Sequence, residues 1–408
     1  MTALALSYEI VQQSLAQLSG SYLAPVSFSF GWPVYALKLL WASINNNRLM
    51  PEPDIACIAI NTSNGITRQN KSWVLGRVLR DYETYWRPTE VKKEVDDVIE
   101  QARYDRQARE NELAAKENRE PNTMPKPSQA GLVISIFRAP PDKIPGKPGY
   151  DLVYWSGIAT TTIQLLIAGT LYGLNRDPAN AAILGITVIG TVLAFVTGAL
   201  PQWAIEKWAC RRLSAGKLKT VAITRGMGSQ HVLIIDGGAG ALDLEDLANP
   251  NAILQTMWKT RIWAVISALL WAGLTVFVTS IPNERAWFLL GIGALGSVQN
   301  LIAARAPRQP EGLGLPIEKG YKVKVIGRSK VMRALRDLEK DYPGIGLSLL
   351  KTFFADDRLT EKEKQEWQTK KEEAAERERR RERDEQALHA GEEPVRNGTA
   401  GRVRIETV

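Results

Sequence analysis

The chain has 408 residues, of which 24% are charged, and a formal net charge of +8. Its mean hydropathy of −0.18 is that of a soluble protein, but the charges are segregated: windows long enough to cross a bilayer carry none, and other stretches are crowded with them. A charge at the centre of a bilayer costs several kcal/mol. The segregation therefore argues against an ordinary soluble protein and indicates an integral membrane protein.

Residues 1–50 predict an element at the membrane interface. Residues 10–37 carry no charge and are rich in aromatic side chains, whereas Pro25, Gly31 and Pro33 interrupt any single helix. We therefore expect an interfacial or re-entrant segment. The sequence leaves open a full span and docking into a soluble core.

Residues 51–150 have the patterns of a polar, cytosolic segment. Apolar runs predict strands at Ile55–Ile60 and Leu132–Phe137. Thr89–Glu120 alternates acidic and basic residues with few apolar positions, which predicts a solvated helix with surface ion pairs.

Four charge-free windows predict transmembrane helices, arranged as two hairpins within residues 151–204 and 261–305. Each window is close to the ~20 residues that a 30 Å hydrocarbon core requires. The windows are Val153–Leu174, Ala181–Leu200, Ile262–Ile281 and Ala286–Ala304.

The flanking charges predict the orientation. The turns Asn175–Pro178 and Pro282–Arg285 each hold one arginine beside one acid. Basic residues crowd the opposite ends of the spans: Arg138, Lys143, Lys147, Lys207, Arg211, Arg212, Lys259, Arg261, Arg305 and Arg308. Because basic flanks stay in the cytosol, we expect both termini and the central loop to be cytosolic. The pattern does not identify which membrane holds the protein.

The central loop, residues 205–260, predicts a β-hairpin with strands Thr220–Thr224 and His231–Ile235. In residues 306–358, Tyr321–Ile326 predicts a strand, and Ser329 is expected to cap a helix that ends near Leu338.

Residues 359–408 predict a charged, solvated helix at Leu359–Leu388 and a disordered tail from Gly391 onward. None of the polar segments is large enough for its own core, so their strands are expected to pair with one another. The predicted fold class is a membrane α-helical protein with four transmembrane helices as two hairpins, a composite α+β cytosolic domain and charged solvated helices.

Two polar side chains in the spans are candidate site residues. Gln164 in the first span and Asn300 in the fourth could pack helices together or line a groove for a lipid or small molecule. The spans contain no ionisable residue, which disfavours an ion-coupled carrier acting alone.

Four further candidates lie near the predicted interface: Glu206, His231, Asp243 and Asp246. They could act on a lipidic or terpenoid substrate. Core packing also explains His231, and helix N-terminal acids explain Asp243 and Asp246. The glycines at 237–240 lack the spacing of a phosphate-binding loop, and the two cysteines lack the spacing of metal ligands. No cofactor or metal is expected.

Several runs, among them LPQWAIEKWACRRL, KTVAITRGMGSQHVLII and KSWVLGRVLRDYE, resemble a family of uncharacterised multi-pass membrane proteins of filamentous ascomycete fungi. The similarity covers most of residues 19–357. It implies a fungal origin and a shared architecture, and it carries over no activity, substrate or site residue.

Three function classes follow from these patterns. The first is a non-enzymatic scaffold or sensor, embedded in the lipid bilayer, whose cytosolic domain binds a protein partner. The alternatives are a membrane-embedded enzyme on a lipidic or terpenoid substrate, and a transporter subunit. A nucleic-acid partner is not expected, because no groove-reading motif accompanies the positive charge.

Overall fold

The computed structural model describes residues 2–45, 47–141, 143–214, 216–250, 256–318, 323–354 and 359–389. The helices in these ranges are α1 (Thr2–Leu18), α2 (Trp32–Ile44), α3 (Trp73–Asp81), α4 (Thr89–Glu117), α5 (Leu152–Leu174), α6 (Pro178–Gly198), α7 (Pro201–Lys207), α8 (Leu244–Ala248), α9 (Trp258–Val278), α10 (Asn283–Arg305), α11 (Val331–Asp341), α12 (Ile345–Phe353) and α13 (Glu361–His389). The predicted disordered tail lies outside the described residues.

Four helices, α5, α6, α9 and α10, are long and apolar enough to cross a membrane, the second of them counted together with the short α7. Two start at an aspartate that caps the helix: Asp151 accepts from Tyr154 N, and Asp177 accepts from Asn180 N. The four predicted apolar helices are therefore confirmed, with ends shifted by a few residues.

The second pair of long helices packs differently from a simple hairpin. A short turn joins α9 to α10, but these helices have almost no contact with each other. Instead α9 packs on α2 and α6, and α10 packs on α1 and α5. The N-terminal helices thus occupy the places that a hairpin partner would fill.

Residues 21–30, which we call the inserted segment, have no regular secondary structure, and residues 24–29 of it lie buried between the long helices. Ala24, Val26 and Ser27 are completely buried. Because α1 ends at Leu18 and α2 begins at Trp32, a single helix through residues 10–37 is excluded.

Glycines let the helices approach the inserted segment closely. A Cβ on Gly157 would lie 2.2 Å from the carbonyl oxygen of Pro25, and one on Gly296 would lie 1.7 Å from that of Phe28. Phe28 also stacks on Trp271, with ring centroids 6.1 Å apart. The helices therefore fit the backbone of the segment as well as its side chains.

The polar segments form one six-stranded sheet in the order β2-β1-β4-β5-β3-β6. Its strands are β1 (Ile58–Asn61), β2 (Thr67–Gln69), β3 (Leu132–Arg138), β4 (Lys219–Thr224), β5 (His231–Gly237) and β6 (Lys324–Arg328). The pair β3–β5 is parallel, and the other neighbours are antiparallel. The sheet thus combines strands from three segments that are distant in the sequence, as the strand patterns predicted.

Some local predictions were wrong. The first strand begins at Ile58 rather than Ile55, and β2 was not predicted. Ser329 does not cap α11: Lys330 holds that position, and Ser329 Oγ donates to Asp105 Oδ2 at 2.9 Å. The hydroxyl group of Ser329 thus bonds to a carboxylate on α4, which is far away in the sequence, and does not cap the helix that follows it.

The charged helices are also less solvated than predicted. One face of α4 buries Val91, Val95 and Val98, at helical spacing, and packs on β3 and β6. On α13, Trp367 is buried against the face of the sheet that α11 and α12 cover. The other face of the sheet belongs to a core that continues into the long helices.

A matched glycine pair on α10 tests the fit of the inserted segment. In Gly296→Ala the new methyl group collides with the carbonyl of Phe28, whereas around Gly291 there is nothing within 4 Å. We expect Gly296→Ala to lower the thermal unfolding midpoint in detergent. Gly291→Ala should leave it unchanged or raise it, since alanine favours helix by about 1 kcal/mol. Equal midpoints for the two variants would contradict the placement.

Candidate functional site

Gln164 and Asn300 hold the inserted segment. Asn300 Oδ1 accepts from Ser27 N at 3.1 Å, and its Nδ2 donates to Ser27 O at 2.9 Å and to Ser29 Oγ at 3.0 Å. Gln164 Nε2 donates to Phe28 O at 2.9 Å. A buried amide or carbonyl without a partner costs ~1–3 kcal/mol. These side chains therefore supply hydrogen bonds that irregular backbone cannot make within itself.

A cavity of about 1190 Å³ lies at the junction between the long helices and the sheet. Its walls come from α1, α2, α3, α7, the end of α10 and the loops at 48–54 and 69–72. Seven cationic side chains line it: Lys38, Arg48, Lys71, Arg77, Arg80, Lys207 and Arg305. Four acidic ones do: Glu9, Glu52, Asp54 and Glu206. The walls therefore carry three more basic than acidic side chains.

Arg77 is the most deeply buried arginine of this wall, with 1% of its side chain exposed. Its Nη2 donates to Ala304 O at 2.6 Å, and its guanidinium lies 4.8 Å from the ring centroid of Trp73. Nη1 is 2.9 Å from Asp54 Oδ2, at an angle that makes an ion pair but no hydrogen bond. Burial lowers the pKa of Arg77 to about 10, so the group is charged at neutral pH.

Lys207 is a second buried cation in the same wall. Its Nζ donates to the carbonyls of Gln17 at 3.3 Å and Ser19 at 3.0 Å. The same atom lies 5.2 Å from the ring centroid of Trp208 and 5.8 Å from that of Trp73. In the described ranges no carboxylate comes within ion-pair distance of it. Of the two buried cations, only Arg77 pairs with a carboxylate, and backbone carbonyls accept hydrogen bonds from both.

Glu206 lies in the wall of the cavity but is fully engaged. Its Oε2 accepts from the amides of Leu49 at 2.6 Å and Met50 at 3.0 Å, and its Oε1 accepts from Gln202 Nε2 at 2.7 Å. The carboxylate fastens the chain that follows α2 to α7. This arrangement suits a structural anchor better than a general base.

His231 is remote from the cavity, on β5. It packs edge-on against Tyr82, with ring centroids 5.8 Å apart, and is 6% exposed. Burial lowers the pKa of His231 to about 4, and the charges of Arg87 and Arg225 add to the effect. The imidazole is therefore neutral at physiological pH.

The two acids of α8 make local contacts. Asp243 caps the helix by accepting from Glu245 N and Asp246 N, and it also accepts from Lys219 Nζ at 2.7 Å. Asp246 pairs with Arg211 at 2.6 Å, which lowers the pKa of its carboxyl. Of the six predicted candidates, Gln164 and Asn300 thus meet at the inserted segment and Asp243 and Asp246 meet at α8, whereas only Glu206 lines the cavity.

The sequence reasoning missed Arg77 and Arg80. A signal was present, because these arginines stand three residues apart on a helix whose other positions are mostly apolar. In the part of the chain that the structure describes, no group of three His, Cys, Asp or Glu could hold a metal ion.

Comparisons of the chain with protein-family models, with curated proteins and with solved structures gave no match. The resemblance to the fungal membrane family stays a prediction.

The buried histidine predicts a pH dependence of stability. The unfolded chain binds a proton at His231 below pH ~6.5, and the folded chain only below about 4, so stability is present above pH 6.5 and is lost as the pH falls. We expect His231→Phe, which keeps a ring against Tyr82, to remove about 2 kcal/mol of the loss between pH 7.5 and 5. Thermal unfolding of both proteins at the two pH values measures it, and parallel shifts would refute a neutral buried histidine.

Proposed function

We propose that the chain is an integral membrane protein with four spans, in which α5, α6, α9 and α10 cross the bilayer and both termini face the cytosol. Apolar side chains exposed on each helix support contact with lipid. They include Leu166, Val192, Leu269 and Val298. The short turns adjoin each other through an ion pair between Arg285 and Asp177, at the end of the helices away from the sheet.

Within this arrangement the protein acts as a non-enzymatic sensor or scaffold. The supporting observation is the cavity, which lies where the sheet meets the long helices and takes walls from both. A ligand held there contacts the N-terminal helices α1 and α2 and the helix α3 of the cytosolic domain at once. Binding can therefore alter how the cytosolic domain is presented to a protein partner.

The alternatives have weaker support. For an enzyme, only Glu206 among the candidate acids and the histidine lines the cavity, and two backbone amides donate to its carboxylate. For a transporter subunit, the polar groups between the long helices would line the path. The amides of Gln164 and Asn300 are instead occupied by the inserted segment.

Cysteine accessibility tests the orientation and the side on which the cavity opens. Single cysteines at Asn175 and Asn283 should react with an impermeant maleimide only from the outside. Cysteines at Ser214, Glu361 and the cavity residue Lys71 should react only after the cytosolic side is exposed. All five positions are exposed in the structure, so burial does not mask the result.

The background for this labelling carries Cys57→Ser and Cys210→Ser, because these are the two natural cysteines. The background protein serves as the unlabelled control. Labelling of Ser214→Cys from the outside would overturn the orientation. Labelling of all five positions from one side would refute the membrane arrangement as a whole.

A further inference from the structure

The walls of the junction cavity carry more basic than acidic side chains. Seven cationic side chains face four acidic ones, and two of the cations, Arg77 and Lys207, are almost completely buried. A buried charge is costly unless an opposite charge or several hydrogen bonds compensate it. The cavity is therefore suited to an anion.

We propose that this cavity binds the phosphomonoester group of an anionic ligand. The side chains of Arg77, Lys207 and Lys71 bind the oxygens of that group. The inference rests on the proposed function and specifies what the sensor recognises.

Arg77 provides the most specific evidence. Its Nε lacks a hydrogen-bond partner among the described residues, and its Nη1 has only the ion pair with Asp54, although the side chain is 1% exposed and lines the cavity. The ring of Trp73 lies against the guanidinium plane and restricts its orientation. An arginine held in this way presents unused N–H groups to a planar or tetrahedral oxyanion.

The size of the charge excess favours a phosphomonoester over a carboxylate. A carboxylate would cancel one of the three excess charges, whereas a phosphomonoester carries about −1.5 to −2 at neutral pH and has three acceptor oxygens. Those oxygens suffice for Arg77, Lys207 and the exposed Lys71 together. Backbone carbonyls already accept two hydrogen bonds from the ammonium group of Lys207. Only a ligand of high charge therefore compensates for the free energy of desolvating the site.

Part of the cavity wall is apolar and belongs to the membrane-length helix α10. Leu301 and Ala304 line it there, and Ile10 lines it from α1. The volume exceeds what a phosphate ion alone would fill. The same chemistry is offered by a lipid headgroup with its glycerol and upper acyl chain, and by a soluble organic phosphate with an apolar part.

Binding can be measured on the full chain, purified in dodecyl maltoside, by the shift of its thermal unfolding midpoint. The probes are inorganic phosphate, phosphatidic acid in mixed micelles, phosphatidylcholine as the control lipid, and sodium chloride at matched ionic strength. We expect a saturable rise of the midpoint with phosphatidic acid or inorganic phosphate and none with the controls. A response to phosphatidic acid alone assigns a lipid headgroup, and a response to both assigns free phosphate as well.

The variants separate the site from general charge effects. Arg77→Lys keeps the charge but loses the planar guanidinium group with its paired N–H donors. We expect it to weaken binding at least about tenfold. Arg48→Gln with Lys71→Gln removes two exposed cations, so the fold is retained and a similar weakening is expected. Arg211→Gln, an exposed arginine outside the cavity, should bind as wild type does. No saturable response, or equal affinity in the cavity variants, would overturn the proposal.

Mass spectrometry of the material extracted from the purified protein tests the proposed ligand class separately from the proposed sensor function. A phosphorylated molecule that is retained by the wild type and lost from the cavity variants supports both. A molecule without phosphate that follows the same pattern overturns the ligand class and leaves the sensor standing. Absence of any retained molecule, together with no response to the probes, contradicts both.

Discussion

The inserted segment is irregular backbone that lies between apolar helices, and side chains of those helices must supply its hydrogen bonds. The rest of the structure depends on this requirement. Residues 21–30 form no helix or strand, so buried amides and carbonyls such as those of Ser27 and Phe28 need partners from outside the segment. Asn300 accepts a hydrogen bond from the amide of Ser27 and donates one to its carbonyl, and Gln164 donates one to the carbonyl of Phe28. Small residues on the helices make room for the segment, and α9 and α10 are consequently spread apart around the N-terminal part.

The second organising feature is the buried cluster around Arg308, which joins the long helices to the sheet domain. Its Nε pairs with Asp151 at the start of α5, its Nη1 donates to Gln17 O at the end of α1, and its amide donates to Asp81 on α3. Burial raises the pKa of Asp81, and the donors around it oppose that rise. Because these acids serve Arg308 and Arg80, few acceptors remain for Arg77 and Lys207. The positive surplus of the cavity follows from how the junction is built.

The sequence predicted the features that depend on composition and short-range pattern. Charge-free windows predicted the four long helices, and short apolar runs predicted β3 and the hairpin β4–β5. Their pairing into one sheet was predicted because no segment could bury its strands alone. β2 escaped prediction because Thr67, Arg68 and Gln69 carry no apolar side chain and pair only at the edge of the sheet.

The candidate site was predicted poorly, for a different reason. Gln164 and Asn300 were recognised as unusual polar residues, but their partner is the backbone of a segment more than 130 residues away in the chain. Arg77 and Lys207 gain their significance from a cavity that α1, α3, α7 and α10 create together. Periodicity within one helix indicates which face is buried, and it does not indicate what that face meets.

The insertion of residues 21–30 between the long helices is the central claim, and a disulfide tests it most directly. An ideal Cβ on Gly198 lies 2.6 Å from Ala24 Cβ, so a disulfide between cysteines at these positions, which needs about 3.8 Å, requires only a small adjustment. In a background without Cys57 and Cys210, oxidation of Ala24→Cys with Gly198→Cys should yield the cross-linked peptide pair by mass spectrometry. The control pair, Ala24→Cys with Gly185→Cys, should not react, because nothing lies within 4 Å of a Cβ at Gly185. Free thiols in the first pair, or cross-linking of both pairs alike, would contradict the insertion.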